Sequence, residues 1–306
     1  QHTTMDSLTP GAALLSQEKL QLRISLGVAW ATSIGLPLIF VASLHFWRLL
    51  GYKDANRDDT PTIQRRFLSS FFSCGWSAAI LRLLAEPAPS PSSGWTFAEL
   101  LGLRFWEDGW PCLRCLLLTA ALFLGPLCQH FWACCLGDGR LLQLQPTIWM
   151  NLRNLVAAPI TEEFVFRACL MRIWFGAGIP VGPTLILSPL CFSLAHAHHF
   201  LEHMRKRGSR QAALIEIGFQ VFYTSLFGIF SNFLLWRTGS LPAAIVAHSF
   251  CNHQGFPDLS FFVRQGHMLY NYRNYVSALY LFGIFVFGSS LMPLTAGFTS
   301  SFRPET

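Results

Sequence analysis

The sequence predicts an all-α protein: a polytopic transmembrane helical bundle with about eight membrane helices. Three observations predict this class. Of the 306 residues, 52% are hydrophobic and only 12% are charged, whereas charged residues make up about 25% of an average soluble domain. The mean hydropathy is +0.39. The apolar residues are also gathered into stretches of about 20 residues, the length that crosses the hydrocarbon core of a bilayer as a helix.

Eight apolar segments account for the predicted helices. Backbone groups in hydrocarbon must be satisfied within the segment, and segments this long and apolar can do so only as helices. The second segment contains Arg82 and the seventh is short. In chain order the segments are Leu22–Trp47, Phe67–Ala85, Cys112–Cys134, Ile148–Phe175, Pro180–Phe200, Ala212–Leu235, Ser240–Phe256 and Tyr275–Leu294.

The whole chain, residues 1–306, is predicted to form a single integral membrane domain. Residues 86–94, between the second and third helices, are rich in proline and serine. Such residues do not continue a helix, so this segment is predicted to be a flexible loop outside the membrane.

The distribution of lysine and arginine predicts the orientation. The loops after the first, third, fifth and seventh helices hold twelve of these residues: Arg48, Lys53, Arg57, Arg65, Arg66, Arg140, Arg205, Lys206, Arg207, Arg210, Arg264 and Arg273. The opposite side holds six: Lys19, Arg23, Arg104, Arg172, Arg237 and Arg303. Because cytosolic loops carry the excess of positive residues, we expect the first group in the cytosol and both termini across the membrane.

Charge and cysteine content narrow the possible partners. The net charge of +6 is carried mostly by loops and forms no contiguous basic face, so we expect a lipid bilayer and no nucleic acid as partner. The nine cysteines are an odd number and lie mainly in apolar segments, which argues against a secreted disulfide framework. Cys112 and Cys115 have the CxxC spacing but no second pair to complete a zinc site.

Three of the predicted helices carry ionisable side chains at membrane depth. Each such group costs about 2.5–3.5 kcal/mol to insert, so its presence indicates a function. Helix 4 contains Glu162, Glu163 and Arg167, helix 5 ends with His196, His198 and His199, and helix 7 contains His248, Asn252 and His253.

The spacing of these residues predicts how they are arranged. Glu163 and Arg167 are four residues apart, which places them on one helix face as an ion pair. Glu162 points about 100° away from Glu163 and is free for another partner. His248 and Asn252 also share a face. If helices 4, 5 and 7 meet, the side chains of Glu162, His196, His248 and Asn252 converge on one wet active-site cavity.

Purely structural interpretations remain open for several of these residues. The Glu163–Arg167 pair can be a lock that holds the bundle together. The histidines at the end of helix 5, His198 and His199 with the nearby His203, are best explained by a position among lipid headgroups. Glu162 has no basic residue at i+3 or i+4, so a structural role explains it poorly.

Three motifs on these helices carry a resemblance to a known family. Glu162-Glu163-x-x-x-Arg167, Phe192-x-x-x-His196 and His248-x-x-x-Asn252 occur in this order. Together they resemble the signature of the type II CAAX prenyl endopeptidases, intramembrane glutamate proteases related to the Abi family. The surrounding residues, from Ala158 to Cys169 and from His248 to Pro257, resemble the eukaryotic Ras-converting enzymes of that family. The likeness extends from Arg65 to about Pro257.

The resemblance implies an enzyme of the endoplasmic reticulum membrane that works from the cytosolic face without cofactor or metal. It would remove the last three residues of prenylated Cys-a-a-X proteins, such as Ras-type small GTPases. It also implies that Glu162, aided by His196, activates a water, and that His248 and Asn252 donate to the oxyanion. A carboxylate suits the first role and fixed donors suit the second. Glu163 and Arg167 would support Glu162.

Other functions are consistent with parts of the sequence. His199, Glu202 and His203 fit an H-x-x-E-H zinc pattern, which would make the chain a zinc-dependent membrane metalloprotease. The pattern lies beside the cations Arg205-Lys206-Arg207, which oppose Zn²⁺. Cys251 lies between His248 and Asn252 and could act as a thiol nucleophile, although it is out of phase with their face. A non-enzymatic membrane transporter or binding protein would also use intramembrane Glu and His, although such transporters often show internal repeats.

Overall fold

The computed structural model describes residues 18–52, 56–90, 93–135, 144–195 and 210–303. Two short strands, β1 (Leu20–Leu22) and β2 (Ala85–Pro87), pair antiparallel, with Leu20 opposite Pro87. The helices are α1 (Leu26–Leu49), α2 (Thr60–Leu84), α3 (Phe97–Leu100), α4 (Gly109–Leu122), α5 (Leu124–Cys135), α6 (residues 148–176), α7 (Val181–Ala195), α8 (Arg210–Thr238), α9 (Leu241–Gln254) and α10 (Arg273–Leu294).

Helix α6 is continuous but irregular. Its α-helical parts, Ile148–Leu152, Ala158–Glu163 and Leu170–Gly176, alternate with two π-helical segments, Arg153–Ala157 and Phe164–Cys169. The first π segment ends at Ala157, two residues before Pro159. Proline has no N–H to donate and its ring clashes with the carbonyl four residues earlier, so the wider π turn accommodates it.

Helix α6 lies at the centre of the bundle. It contacts α1, α2, α7, α8 and α9, and residues 165–174 are buried along nearly their whole length. The core includes the rings of Phe166 and Trp174, which pack edge-on against Phe40 and Trp30 of α1. A helix that is buried on all sides holds its polar groups in a fixed position.

The predicted polytopic helical bundle is confirmed. All eight predicted segments coincide with helix within the described residues. Four of the described helices, α1, α2, α8 and α10, are individually long and apolar enough to cross a membrane, and the α4–α5 pair makes a fifth if it is counted as one crossing. That pair bends by 74°. Pro126 explains the break, since its ring excludes the carbonyl of Leu122 from a continuing helix.

The segment 86–94, predicted to be a flexible loop, begins within a strand. Glu86 and Pro87 belong to strand β2, and the N–H of Ala88 donates to the carbonyl of Lys19 at 2.8 Å. The pairing partner lies more than sixty residues earlier, so local composition does not indicate it. Residues 91 and 92 lie outside the described part. The resulting β ribbon closes the end of the bundle where α1 begins.

Candidate active site

The two neighbouring carboxylates of α6 occupy different environments. The side chain of Glu163 is fully buried, whereas 22% of the Glu162 side chain is exposed. This follows from their successive positions, about 100° apart around the helix. One carboxylate therefore lies inside the protein, and the other can be reached by water.

Glu163 is held by side chains from three helices. Its Oε2 lies 3.2 Å from Nε of Arg167, one turn further along α6. Its Oε1 lies 2.7 Å from Nδ1 of His248 on α9. The hydroxyl of Ser231 on α8 donates to Oε2. These contacts cross-link α6, α8 and α9 around one carboxylate and confirm the predicted Glu163–Arg167 ion pair.

Aromatic rings enclose the positive partner of this pair. The Arg167 side chain is fully buried. Its guanidinium lies 4.5 Å from the ring centroid of Phe192 on α7 and 5.7 Å from that of Phe227 on α8. A cation held over ring faces is stabilised without water. Gly228 makes room for it, because a Cβ there would lie 3.3 Å from Nη2 of Arg167 and would clash with Pro189.

His248 lies between the two carboxylates. Its Nδ1 faces Glu163, and its Nε2 lies 4.0 Å from Oε2 of Glu162. The Phe227 ring packs against the imidazole with centroids 4.7 Å apart. The 4.0 Å separation is too long for a direct hydrogen bond. It is close to the span of two hydrogen bonds that share one bridging water.

The first π segment of α6 positions Asn252. The N–H of Ala158 bonds to the carbonyl of Arg153, and Pro159 has no N–H, so the carbonyls of Asn154 and Leu155 lose their usual helical donors. Side chains of α9 replace them. Asn252 Nδ2 donates to the Asn154 carbonyl at 2.9 Å, and Ser249 donates to the Leu155 carbonyl at 2.7 Å.

Asn252 therefore has a fixed side chain, with one donor to spare among the described residues. An amide nitrogen carries two N–H groups, and the Asn154 carbonyl takes one of them. Asn252 is exposed, whereas His248, one turn earlier on α9, is buried. The predicted shared face of these residues thus runs from the interior to the end of the bundle.

The histidines at the end of helix 5 lie outside the described residues. This applies to His196, predicted to aid Glu162, and to His198, His199 and His203. The H-x-x-E-H pattern lies there too. Within the described ranges, no three His, Cys, Asp or Glu side chains are grouped as metal ligands would be. Measurement of activity after strong chelation tests whether the protein depends on a metal.

The environment of Cys251 differs from that of a thiol nucleophile paired with a histidine. Its thiol is free and its side chain is buried. His248 directs Nδ1 and Nε2 toward Glu163 and Glu162, so the imidazole forms no pair with the sulfur. All nine cysteines are free thiols.

Some residues of the site were not predicted from the sequence. Ser231 and Asn232 form a polar pair in the middle of an apolar helix, which is a usable signal. Pro159 lies within a helical segment, where a proline indicates a local irregularity. Nothing in the sequence indicated that Glu163, besides pairing with Arg167, would bind His248.

The fold and the site together define a class of protein. Buried and half-buried ionisable groups meet between helices of a polytopic bundle, an arrangement typical of an intramembrane enzyme rather than of a packed core alone.

Comparison with known proteins identifies the family. Residues 144–253 match the family model of the type II CAAX prenyl endopeptidases, Rce1-like. The chain is 36% identical to human CAAX prenyl protease 2 over 273 residues, covering 86% of this chain and 79% of the human protein. It is 29% identical to the Arabidopsis thaliana CAAX prenyl protease 2 over 300 residues, covering 89% and 91% respectively. No solved structure matches. The chain belongs to the type II CAAX prenyl endopeptidase family, and it is a membrane protease.

Proposed function

We propose that this chain removes the C-terminal tripeptide of prenylated Cys-a-a-X proteins, with Glu162 as the base that activates water. The observation that carries the proposal is the contrast between the neighbouring carboxylates. Glu163 is fully buried and paired, whereas Glu162 is 22% exposed and faces Nε2 of His248 across 4.0 Å. A carboxylate with access to water, set beside a fixed donor, suits hydrolysis of a peptide bond.

The attacking water occupies the gap between Glu162 and His248. Glu162 takes one proton from this water as its oxygen bonds to the scissile carbonyl carbon. The carbonyl π electrons move to oxygen and form the oxyanion. On collapse the C–N bond breaks, and Glu162 returns the proton to the leaving amine, so no proton is gained or lost overall. His196 aids Glu162 in this scheme.

His248 and Asn252 stabilise the oxyanion. Glu163, ion-paired with Arg167, is an acceptor and takes the Nδ1–H of His248. When the imidazole is protonated on both nitrogens, Nε2 donates toward the gap. The second N–H of Asn252 donates from one turn further along α9. Donors that are fixed before the reaction stabilise a developing negative charge without reorganisation.

Glu163 and Arg167 position these groups rather than react. Glu163 fixes the ring of His248, and the Arg167 cation balances its charge in the dry interior. The same pair fixes the α6 turn that carries Glu162. A carboxylate that accepts a histidine N–H fixes the orientation of the imidazole ring in the same way in metal sites.

The proposed location follows from the charge pattern and the chain direction. Helix α9 runs from Leu241 to Gln254, toward the side that the lysine and arginine excess assigns to the cytosol. Asn252 lies at that end. A site open there can accept a soluble peptide tail, such as that of a Ras-type small GTPase, while the isoprenoid stays in the bilayer. We place the enzyme in the endoplasmic reticulum membrane on the resemblance alone.

Mass analysis of a farnesylated Cys-a-a-X peptide incubated with the purified protein tests this function. We expect loss of three residues with the wild type and no turnover with Glu162→Gln, at unchanged expression and thermal stability. His196→Ala should be similarly impaired, whereas His198→Ala and His203→Ala serve as matched controls that keep most activity. Wild-type turnover by Glu162→Gln would contradict the mechanism, and an uncleaved peptide with the wild type would contradict the function.

A further inference from the structure

A cavity lies at the C-terminal end of α6. Its volume is about 310 Å³, and Arg172, Ser301, Phe302 and Arg303 line it together with the turn between α6 and α7. Arg172 follows Glu162 by ten residues, which is about 15 Å along a helix. The cavity is therefore separate from the active site and lies where helices end.

Arg172 brings a buried positive charge to this cavity. Only 7% of the residue is exposed. Nε donates to the Leu100 carbonyl at 3.1 Å, and the two Nη atoms donate to the carbonyl and hydroxyl of Ser301, each at 2.8 Å. The guanidinium lies 4.2 Å from the ring centroid of Phe302. These acceptors are all neutral and use three of the five N–H groups of the guanidinium.

Arg303 adds a second positive charge. One of its Nη atoms donates to the Arg237 carbonyl, and its Nε is buried without a hydrogen-bond partner among the described residues. Burial and the neighbouring Arg237 cation lower the pKa of Arg303. None of the residues that line the cavity is acidic. An anion in the cavity would offset the charge of Arg303 and its repulsion with Arg237.

Three other cations at this end of the bundle have carboxylate partners, whereas Arg237, in the described part of the chain, bonds to Thr295 and the Met292 carbonyl. Lys19 pairs with Glu99 at 3.1 Å, Arg82 with Glu18 at 2.6 Å and Arg104 with Glu107 at 3.5 Å. In the described part of the chain, neither Arg172 nor Arg303 has such a partner. Because an uncompensated buried charge is costly, the cavity beside Arg172 favours an anion.

The start of α7 favours the same kind of ligand. Pro180 and Val181 line the cavity, and α7 begins at Val181 and continues for 15 residues. The first N–H groups of a helix have no partner within the helix, and its dipole places partial positive charge at that end. Helix starts of this kind bind phosphate groups.

We propose that this cavity binds the phosphate group of a membrane phospholipid. Two guanidinium groups and a helix start supply donors for the phosphate oxygens. The cavity volume of about 310 Å³ leaves space beyond a phosphate for the glycerol part of a lipid. Leu22, Ile179 and Val181 form apolar walls for that part. The site needs nothing from the proposed proteolytic mechanism.

Native mass spectrometry of the detergent-purified protein tests the proposal. The probes are phosphatidylglycerol, diacylglycerol with the same acyl chains but no phosphate, and inorganic phosphate. We expect the wild type to retain one phosphatidylglycerol and to retain diacylglycerol much more weakly. Arg303→Gln should weaken retention of phosphatidylglycerol by about tenfold or more, as expected for the loss of a charge-assisted hydrogen bond.

Matched variants separate binding from folding. Arg172→Gln is unsuitable alone, because Arg172 also ties Leu100 to Ser301. Val181→Trp keeps both arginines but fills the cavity, and it should also abolish retention. Arg82→Gln removes an exposed cation at the same bundle end and should leave retention unchanged. Thermal unfolding of each variant shows that it is folded.

Three results would overturn the proposal. Equal retention of phosphatidylglycerol by the wild type, Arg303→Gln and Val181→Trp would show that the lipid binds elsewhere. Equal retention of diacylglycerol and phosphatidylglycerol would show that the phosphate is not recognised. Thermal stabilisation by inorganic phosphate that matches the effect of phosphatidylglycerol would overturn the lipid assignment and identify the ligand as a free anion. Because the readout is binding, failure of the proteolysis test would not affect it.

Discussion

The Glu163–Arg167 pair provides a stringent test of how burial controls the value of an ion pair in this protein. Arg167→Ala leaves Glu163 as a fully buried carboxylate that keeps only the contacts with Ser231 and His248. It also removes the cation that lies over the rings of Phe192 and Phe227. The variant should therefore be strongly destabilised, or Glu163 should take up a proton.

The expected magnitude follows from a comparison with a second pair. Removing one partner of a buried pair costs about 3–5 kcal/mol, which corresponds to a loss of roughly 6–20 °C in Tm. The Arg82–Glu18 pair is shorter, at 2.6 Å, but its side chains are 48% and 53% exposed. An exposed pair contributes about 1 kcal/mol or less. Arg82→Ala should therefore change Tm by only a few degrees.

Thermal unfolding in a single detergent, measured for four proteins, checks this reasoning. The proteins are the wild type, Arg167→Ala, the control Arg82→Ala, and the double variant Glu163→Gln with Arg167→Gln. The double variant should recover stability relative to Arg167→Ala, because no lone charge remains. Equal losses in Arg167→Ala and Arg82→Ala would refute the argument from burial. If Arg167→Ala keeps full stability and only weakens binding of substrates with a free carboxylate, Arg167 is a substrate anchor instead.

Four further predictions follow from other parts of the molecule. Asn252→Ala should lower kcat by roughly 10²–10³-fold with little change in KM if the side chain is an oxyanion donor. The control Asn151→Ala removes only bonds at the start of α6 and should leave kcat unchanged. An equal effect of the two variants would contradict the assignment. Pro159→Ala should let the first π segment relax, which frees Asn252 and lowers kcat at nearly unchanged Tm. Pro293→Ala in α10 is the control. An unaltered kcat in Pro159→Ala would rule out this role of the π turn. Activity should survive strong chelation and Cys251→Ser, and zinc lost and regained together with activity would overturn that expectation. Burial raises the pKa of Glu99, but hydrogen bonds from Thr96 and Lys19 outweigh this effect and the net shift of the pKa is downward. Glu99→Gln should therefore lower Tm at pH 7, and the difference in Tm should shrink as the pH falls below the pKa of an unfolded glutamate, about 4.3. A constant difference in Tm down to pH 3 would contradict this prediction.

The sequence alone was sufficient to predict the bundle. Apolar segments near the membrane-crossing length can satisfy their backbone only as helices, so each predicted segment is helical in the described part of the chain. The Glu163–Arg167 ion pair was also predictable, because four residues along one helix fix the relative direction of two side chains.

Much of the candidate site depended on contacts between distant segments. The bond between Glu163 and His248 joins positions 85 residues apart, and that between Glu163 and Ser231 joins positions 68 apart. Helical spacing shows which face a residue occupies but not which helix covers that face. The sequence therefore indicated that Glu163 and His248 were unusual, whereas only the packing of α6, α8 and α9 showed that they bind each other.

The irregularities of the backbone also depend partly on local sequence and partly on tertiary packing. Pro159 by itself implies that the carbonyl of Leu155 has no helical donor. Whether a π turn forms there depends on other donors for the freed carbonyls, and α9 supplies them through Ser249 and Asn252. Likewise, the pairing of Leu20–Leu22 with Ala85–Pro87 depends on α1 and α2 returning the chain to the same end of the bundle. Local chemistry determined the helices and the ionisable groups they carry, and tertiary packing decided their partners, because a hydrogen bond between helices forms only where the whole bundle brings donor and acceptor within reach.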